Sequence, residues 1–133
     1  MLHEVELTQL CLILHAGRIH RGPLIENAGL RPDAEMWIDG ELFYLEWDRG
    51  TMSYAQVARH RFPKYEPCRQ LVLWVCSSQT RRDGLRTRAG SIRHAALFAT
   101  AADALASPHG EIWLDHGGHR AALPRQSKAP DRQ

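Results

Sequence analysis

The sequence predicts an α/β domain with a mixed central β-sheet and flanking helices. Residues 31–48 alternate between apolar and polar on both sides of Asp39-Gly40, the dipeptide typical of a two-residue hairpin turn. Residues 69–77 form a continuous apolar run of strand length, which is typical of a strand buried on both faces. Helical patterns separate the later strands, and such alternation indicates an α/β arrangement.

Length and composition fit one globular domain, because the chain has 133 residues of which 44% are hydrophobic and 24% charged. We expect this domain over residues 1–123 and a disordered tail over 124–133. No apolar run approaches the roughly 20 residues that span a bilayer, and the start lacks a signal-peptide pattern, so we expect a cytoplasmic protein without a membrane segment. The three cysteines show no CxxC spacing and are expected to be reduced thiols: Cys11, Cys68 and Cys76.

Before the hairpin, the spacing of apolar residues predicts a short helix within residues 4–16, ended by Gly17. Residues 17–30 contain several Gly and Pro residues without periodicity. They are expected to form a connecting loop with room for one short strand.

The hairpin pattern also predicts a register. With Asp39-Gly40 at the centre of the turn, Ala34 lies opposite Leu45, and the next pair along the strands is Asp33 with Glu46. Side chains alternate along a strand, so Asp48 projects from the same face as Glu46. The opposite face is apolar and is expected to join the core: Ala34, Met36, Ile38, Phe43, Leu45 and Trp47.

Beyond the hairpin, we expect a helix capped by Thr51 or Ser53 and ended or kinked by Pro63. Residues 80–89 are basic and polar, which predicts a solvated helix with its arginines pointing outward. The remaining expected elements are a strand over 95–100, a helical turn over 103–106 and a last strand over 111–115.

The opposed carboxylates of Asp33 and Glu46 are the main chemical feature of the sequence. Directly opposed like charges destabilise a sheet by up to about 1 kcal/mol, so a positive charge is expected near them. Mg²⁺ or Mn²⁺ would fit, since hard cations take carboxylate oxygens as ligands. The alternative is a purely structural ion pair with Arg31 or Arg49.

The positive charge is concentrated in two segments although the formal net charge is only +2. Clustered arginines can grip phosphates, so these segments are candidates for contact with a DNA backbone. A GC-rich genome that favours arginine codons would explain them as well. The candidate nucleic-acid-binding residues are Arg59, Arg61, Lys64, Arg81, Arg82, Arg86 and Arg88.

The order Pro32-Asp33, a strand turn, Glu46-x-Asp48 and then a basic helix resembles the PD-(D/E)XK nuclease superfamily. The resemblance implies a restriction-endonuclease-like core in which Asp33 and Glu46 bind the metal. The superfamily lysine, two residues after the Glu, is replaced here by Asp48. The catalytic cation can come from the next helix in some members, which nominates Arg61 or Lys64 for a role at the phosphate.

A resemblance over residues 3 to about 123 is to the replication-relaxation family of mobile bacterial elements. It rests on RPDA, on LEWDRGT after the hairpin, and on a basic helix that ends at Tyr65. The lysine that the family has four residues before this Tyr is Arg61 here. The resemblance implies a protein of a plasmid or other mobile element, with DNA as its partner and a separate DNA-binding or replication protein as a further one.

Other motifs carry less information. The segment Asp115 to His119 is better explained as a polar turn than as a metal site, and the tryptophans are expected in the core or an interface. The motifs of serine hydrolases, P-loop nucleotide-binding proteins and zinc proteases do not occur.

Two functional hypotheses follow. The first is Mg-dependent phosphodiester hydrolysis, in which Asp33 and Glu46 hold the metal, Asp48 assists, and Arg61 or Lys64 contacts phosphate. The second is a non-catalytic DNA-binding or relaxosome accessory module that keeps the nuclease fold with structural carboxylates. A homodimer formed through a strand edge is compatible with either.

Overall fold

The centre of the structure is a mixed sheet of seven strands whose spatial order follows their order in the chain. The computed structural model describes residues 19–21, 34–38, 41–66, 69–89 and 95–123. The strands are β1 (Ile19–Arg21), β2 (Ala34–Ile38), β3 (Glu41–Asp48), β4 (Leu71–Cys76), β5 (Ala96–Thr100), β6 (Trp113–Leu114) and β7 (Arg120–Ala121).

Parallel and antiparallel pairs coexist in this sheet. The three central strands β3, β4 and β5 are parallel to one another, whereas β1, β2, β6 and β7 pair antiparallel with their neighbours. The expected α/β class with a mixed sheet is therefore confirmed. Strand β6 is shorter than expected, and β7 was not predicted because two residues are too few to show a period.

The predicted hairpin register is confirmed over the described part of β2 and β3. Ala34 lies opposite Leu45 and Ile38 opposite Glu41, as the turn position required. Asp33, Asp39 and Gly40 lie outside the described residues. β1 adds to the outer edge of the hairpin, in the segment where one short strand was expected.

A continuous helical segment follows β3 and changes its winding twice. It begins as an α-helix, α1 (Tyr54–Gln56), widens to a π-helix over Val57–Arg61 and ends as a 3₁₀ turn over Pro63–Tyr65. Ser53 caps it in a reciprocal capping box with Gln56. Pro63 has no N–H to continue the helical ladder, and the winding tightens there as expected.

Two further helices follow the parallel strands β4 and β5. They are α2 (Gln79–Arg88), capped by Ser78, and α3 (Ala101–Ala106), capped by Thr100. Both follow the predicted positions to within a few residues. The helix expected within 4–16 and the tail expected over 124–133 lie outside the described residues. None of the helices described is long and apolar enough to cross a bilayer.

Both faces of the sheet are covered. The face predicted to be apolar forms one core with Phe43, Leu45 and Trp47, closed by α3. The other face forms a second core around Trp74 and Phe98, closed by the helical segment and α2. Trp47, Trp74 and Trp113 are buried as expected, whereas the side chain of Trp37 is not described.

The expectation that α2 points its arginines outward is wrong for two of them. Arg81 and Arg82 are each only 9% exposed. The helix contributes a single buried leucine, Leu85, to the core. Hydropathy alone therefore assigned the helix to solvent, whereas two of its charged side chains extend inward toward partners elsewhere in the fold.

The turn after β3 depends on Gly50, which has a φ of 81°. A Cβ at this position would lie 2.9 Å from Ser77 Oγ. We expect Gly50→Ala to lower the free energy of unfolding by about 1–2 kcal/mol, measured by urea denaturation, because a side chain disfavours the left-handed conformation. The exposed neighbour provides a control, since Thr51→Ala should change it by less than about 0.5 kcal/mol. If G50A and the parent had the same free energy of unfolding, the expected backbone strain at position 50 would be contradicted.

Candidate functional site

Glu46 and Asp48 lie at the carboxyl end of β3, on the face of the sheet that the helical segment and α2 cover. They are only 2% and 1% exposed. On the neighbouring parallel strand, Glu46 pairs with Trp74 and Asp48 with Cys76. Two carboxylates are thus placed beneath a helical layer, where each needs polar partners to offset the loss of water.

The helical segment supplies the partners of Glu46. Arg61 donates from Nη2 to Oε1 of Glu46, and the hydroxyl of Tyr65 donates to Oε2. Val57, Arg61 and Tyr65 are spaced four residues apart, which places them on one helical face toward the sheet. The segment is therefore attached to β3 by charge and hydrogen bonding as well as by apolar contact.

Asp48 is held from a second direction by α2. Arg81 donates from Nε to Oδ2 at 2.5 Å and from Nη2 to Oδ1 at 2.9 Å, a bidentate pair. Arg61 Nη1 lies 3.5 Å from Oδ1 of the same carboxylate. The guanidinium of Arg61 consequently bridges Glu46 and Asp48.

Aromatic rings surround this network. The Arg61 guanidinium lies over the ring of Trp74, 5.2 Å from its centroid, and Phe62 packs edge-on against the same ring at 5.2 Å. Tyr65 and Phe98 contact it from other sides at 6.1 Å. The rings exclude water, which strengthens the charge interactions within the network. Trp74 Nε1 has no hydrogen-bond partner among the described residues.

Tyr54 connects the two helical elements above the network. Its ring lies 4.9 Å from the guanidinium carbon of Arg81 and 4.5 Å from that of Arg88. Gly84 permits this packing, since a Cβ there would lie 2.3 Å from the ring. The position of Arg81 is thereby fixed by an aromatic ring as well as by Asp48.

Two pKa shifts follow from this arrangement. Hydrogen bonding to Asp48 raises the pKa of Arg81 above its ordinary value, so this guanidinium is permanently charged. Burial raises the pKa of the Cys76 thiol, and the nearby Asp48 carboxylate raises it further. Cys76 therefore stays protonated and unreactive, in agreement with the expected reduced, buried thiol.

The described partners of the acids differ from those suggested by the sequence. Arg49 is exposed and makes no ion pair with any residue that the structure describes, and Arg31 lies outside those residues. Arg61 and Arg81, which were expected to contact DNA, instead neutralise Glu46 and Asp48. The hairpin register could not show this, because both arginines come from helices further along the chain.

The other predicted site residues fall into three groups. Arg59 and Arg88 are exposed, whereas Arg82 and Arg86 both lie near Asp83, at 2.9 and 3.7 Å. The side chain of Lys64 is not described, and Asp33 lies outside the described residues. Among the predicted site residues whose side chains the structure describes, Glu46, Asp48, Arg61 and Arg81 are brought into one cluster.

The arrangement around Glu46 and Asp48 does not fit bound Mg²⁺. Both oxygens of each carboxylate accept hydrogen bonds, and the guanidinium of Arg61 puts its positive charge between them. A divalent cation there would be repelled by Arg61 and would have to displace it. Within the described ranges, no group of three or more His, Cys, Asp and Glu side chains could hold a metal ion.

The segment between β6 and β7 is the polar turn that the sequence suggested. Asp115 Oδ1 accepts hydrogen bonds from the backbone N–H groups of Gly117 and His119, at 2.9 and 2.8 Å. The hydrogen bond from His119 also holds the pKa of Asp115 below its usual range. Gly118, with a φ of 90°, completes the turn.

Sequence reasoning missed Tyr65 and Trp74 as members of the site. Tyr65 was noted only as part of a family resemblance, although its spacing of four from Arg61 would have placed both on one helical face. No comparable signal existed for Trp74, since its position beside Glu46 depends on the register between β3 and β4.

Comparisons of the chain with protein-family models, with curated proteins and with solved structures find no match.

The ion pair between Asp48 and Arg81 is expected to be essential for stability. Asp48→Asn would leave Arg81 beneath the helices without its counter-charge and Arg61 with Glu46 alone, and we expect it to cost about 3–5 kcal/mol in urea denaturation. Asp83→Asn is the matched control, because this carboxylate is 41% exposed and its ion pairs should contribute less than about 1 kcal/mol. Equal losses in the two variants would contradict a structural role for the network.

Proposed function

We propose that this protein is a non-catalytic DNA-binding or relaxosome accessory module of a plasmid or other mobile element. The observation that carries the proposal is the Arg61 guanidinium bridging Glu46 and Asp48. In the sequence, the expected opposition of Asp33 and Glu46 called for a positive charge that a metal could supply, and Arg61 brings such a charge to Glu46 from the protein itself. With that charge balanced internally, a structural role accounts for the acids.

The charge of the helical layer supports DNA as the partner. The helical segment together with α2 carries seven Lys and Arg residues and one acid, Asp83, and two of the seven, Arg61 and Arg81, are paired with Glu46 and Asp48. Arg59 and Arg88 are exposed on these elements, and Arg88 also lies over the ring of Tyr54. A layer of this sign attracts phosphates without reading bases, as expected of backbone contacts.

Topology supports a restriction-endonuclease-like core as part of this proposal. An antiparallel hairpin, β2 and β3, is followed by a helical segment and by the parallel strand β4. This is the order of elements that the resemblance to PD-(D/E)XK nucleases implied.

Mg-dependent phosphodiester hydrolysis is the second candidate, favoured by one observation. Ala34 lies opposite Leu45, and one further step in the same register would pair Asp33 with Glu46. In this alternative Arg61 would have to leave the carboxylates before a metal could be held there, and Lys64 or Arg61 would then contact the scissile phosphate.

DNA binding should depend steeply on salt. Each phosphate contact releases counterions, so Arg59→Gln and Arg88→Gln should each lower the slope of log affinity against log salt by about 0.9. Fluorescence anisotropy with a labelled duplex at several salt concentrations measures this slope.

Arg69→Gln is the matched control for this measurement. Arg69 is exposed and precedes β4, outside the helical segment and α2, and its loss removes the same charge. Binding that is flat in salt, or a slope changed equally by all three substitutions, would contradict the proposed surface.

The substitution Glu46→Ala distinguishes the proposed non-catalytic module from the alternative nuclease. In the proposed module Glu46 is the acceptor for Arg61 Nη2 and for the Tyr65 hydroxyl, so we expect its removal to cost about 1–3 kcal/mol and to lower the Tm. Mg²⁺ should leave the Tm of the parent unchanged relative to chelator, and supercoiled plasmid should stay intact with Mg²⁺ or Mn²⁺.

The nuclease predicts the reverse pattern. Mg²⁺ would then raise the Tm of the parent, plasmid would be nicked, and Glu46→Ala would abolish both effects at little cost to the chelated protein. Cleavage by the parent that Glu46→Ala removes would replace the proposed function by this alternative.

A further inference from the structure

A second polar cluster lies apart from the buried carboxylates, at the carboxyl edge of the parallel strands. A cavity of about 370 Å³ opens there between the ends of β4 and β5. Its lining includes Ser77 and Ser78 from the turn after β4, Thr100 from the end of β5, and two arginines, Arg82 and Arg120. The volume falls in the range of small-ligand sites, about 300–1,000 Å³.

The cavity lies where the chain changes sides of the sheet. After β4 the chain turns to the face on which Leu85 of α2 is buried, whereas after β5 it turns to the opposite face, where Ala104 of α3 is buried. Adjacent connections that diverge in this way open a crevice outside the carboxyl ends of the strands. Ligands of open α/β sheets bind in such crevices.

Arg82 gives the cavity a buried cation with unused donors. The residue is 9% exposed, and its Nε donates to Asp83 Oδ1 at 2.9 Å. A guanidinium has five N–H donors, and the remaining four of Arg82 make no hydrogen bond with any residue that the structure describes. Its Nη groups are on the solvent-accessible part of this largely buried side chain, where an anionic oxygen in the cavity can accept hydrogen bonds from them.

Other donors converge on the same cavity. Arg120 of β7 adds a second guanidinium, which is exposed and donates from Nη1 to the Glu111 carbonyl at 3.2 Å. Gln79 begins the ten-residue helix α2, whose first-turn N–H groups favour anions. Asp103 is the acid on the lining; it is exposed, and the lining sets two arginines against this one carboxylate.

We propose that this cavity is a phosphate-binding site that takes a backbone phosphate of a nucleic-acid strand. The inference rests on the proposed function for the source of the phosphate. It adds a site at the carboxyl edge of the sheet, which is lined by other residues than the exposed Arg59 and Arg88. A phosphate would accept hydrogen bonds from Arg82 and Arg120 and from hydroxyl groups of the turn after β4. It would thus satisfy the donors that the protein leaves unused.

Inorganic phosphate is the probe for the cavity itself. We expect titration of the ¹⁵N-labelled full chain, at ionic strength held constant with chloride, to shift the amides of Ser78, Gln79 and Thr100 saturably. Arg82→Gln and the exposed Arg120→Gln should each weaken the fitted dissociation constant at least fivefold. Arg69→Gln removes one charge elsewhere and should leave it unchanged.

A short DNA duplex added to the phosphate-loaded protein tests the source. If the duplex reverses the phosphate shifts, the two ligands compete and the site takes a backbone phosphate. If the duplex binds while the phosphate shifts remain, the site takes free phosphate, and the proposed source is overturned. Absence of a saturable shift, or equal weakening by Arg69→Gln, overturns the site itself. Failure of the proposed function looks different, because duplex would then not bind at all while phosphate still saturates the cavity.

Discussion

The charge balance beneath the helical layer is the constraint on which the rest of the structure depends. Glu46 and Asp48 are buried at the end of a central strand, and burial of a carboxylate is unfavourable unless cationic or hydrogen-bonding partners accompany it. Arg61 reaches down from the helical segment and Arg81 from α2. The same contacts that neutralise the acids therefore fix two helical elements, distant in sequence, against one strand. Tyr54 then packs between these elements, with Gly84 leaving room for its ring.

This balance divides the arginines into three groups with different consequences. Arg61 and Arg81 are engaged by carboxylates, so their charge is largely compensated and contributes little to attraction at the surface. Arg59 and Arg88 are exposed, and Arg82 is buried with donors left over. A count of basic residues along the chain treats all of these as equal. In the fold they occupy separate places: the carboxylate network, the exposed side of the helical elements, and the carboxyl edge of the sheet. The structural and the DNA-binding interpretations can therefore both apply to one arginine-rich segment.

Local patterns were sufficient for much of the fold, and for part of the site. Alternation around Asp39-Gly40 defined the register of β2 and β3, because a shift by one residue would move every apolar side chain to the wrong face. The apolar run before Ser77 became β4, and Ser53 capped the helix expected after β3. That register also placed Glu46 and Asp48 on one face, and it put Glu46 opposite Asp33, the pair that the sequence singled out as the chemical feature of the chain.

The sequence by itself thus determined the elements, the hairpin register and the importance of Glu46 and Asp48, since each depends on residues close together in the chain. Only the tertiary structure decided what neutralises them. Arg81 lies 33 residues beyond Asp48, on a helix whose composition suggested solvent on all sides, and no periodicity encodes such a pairing. The crevice between β4 and β5 is likewise tertiary, because it arises from the opposite faces taken by two successive connections. Pairs of charged side chains that are distant in sequence depend on tertiary packing, and that packing exists only in the assembled sheet.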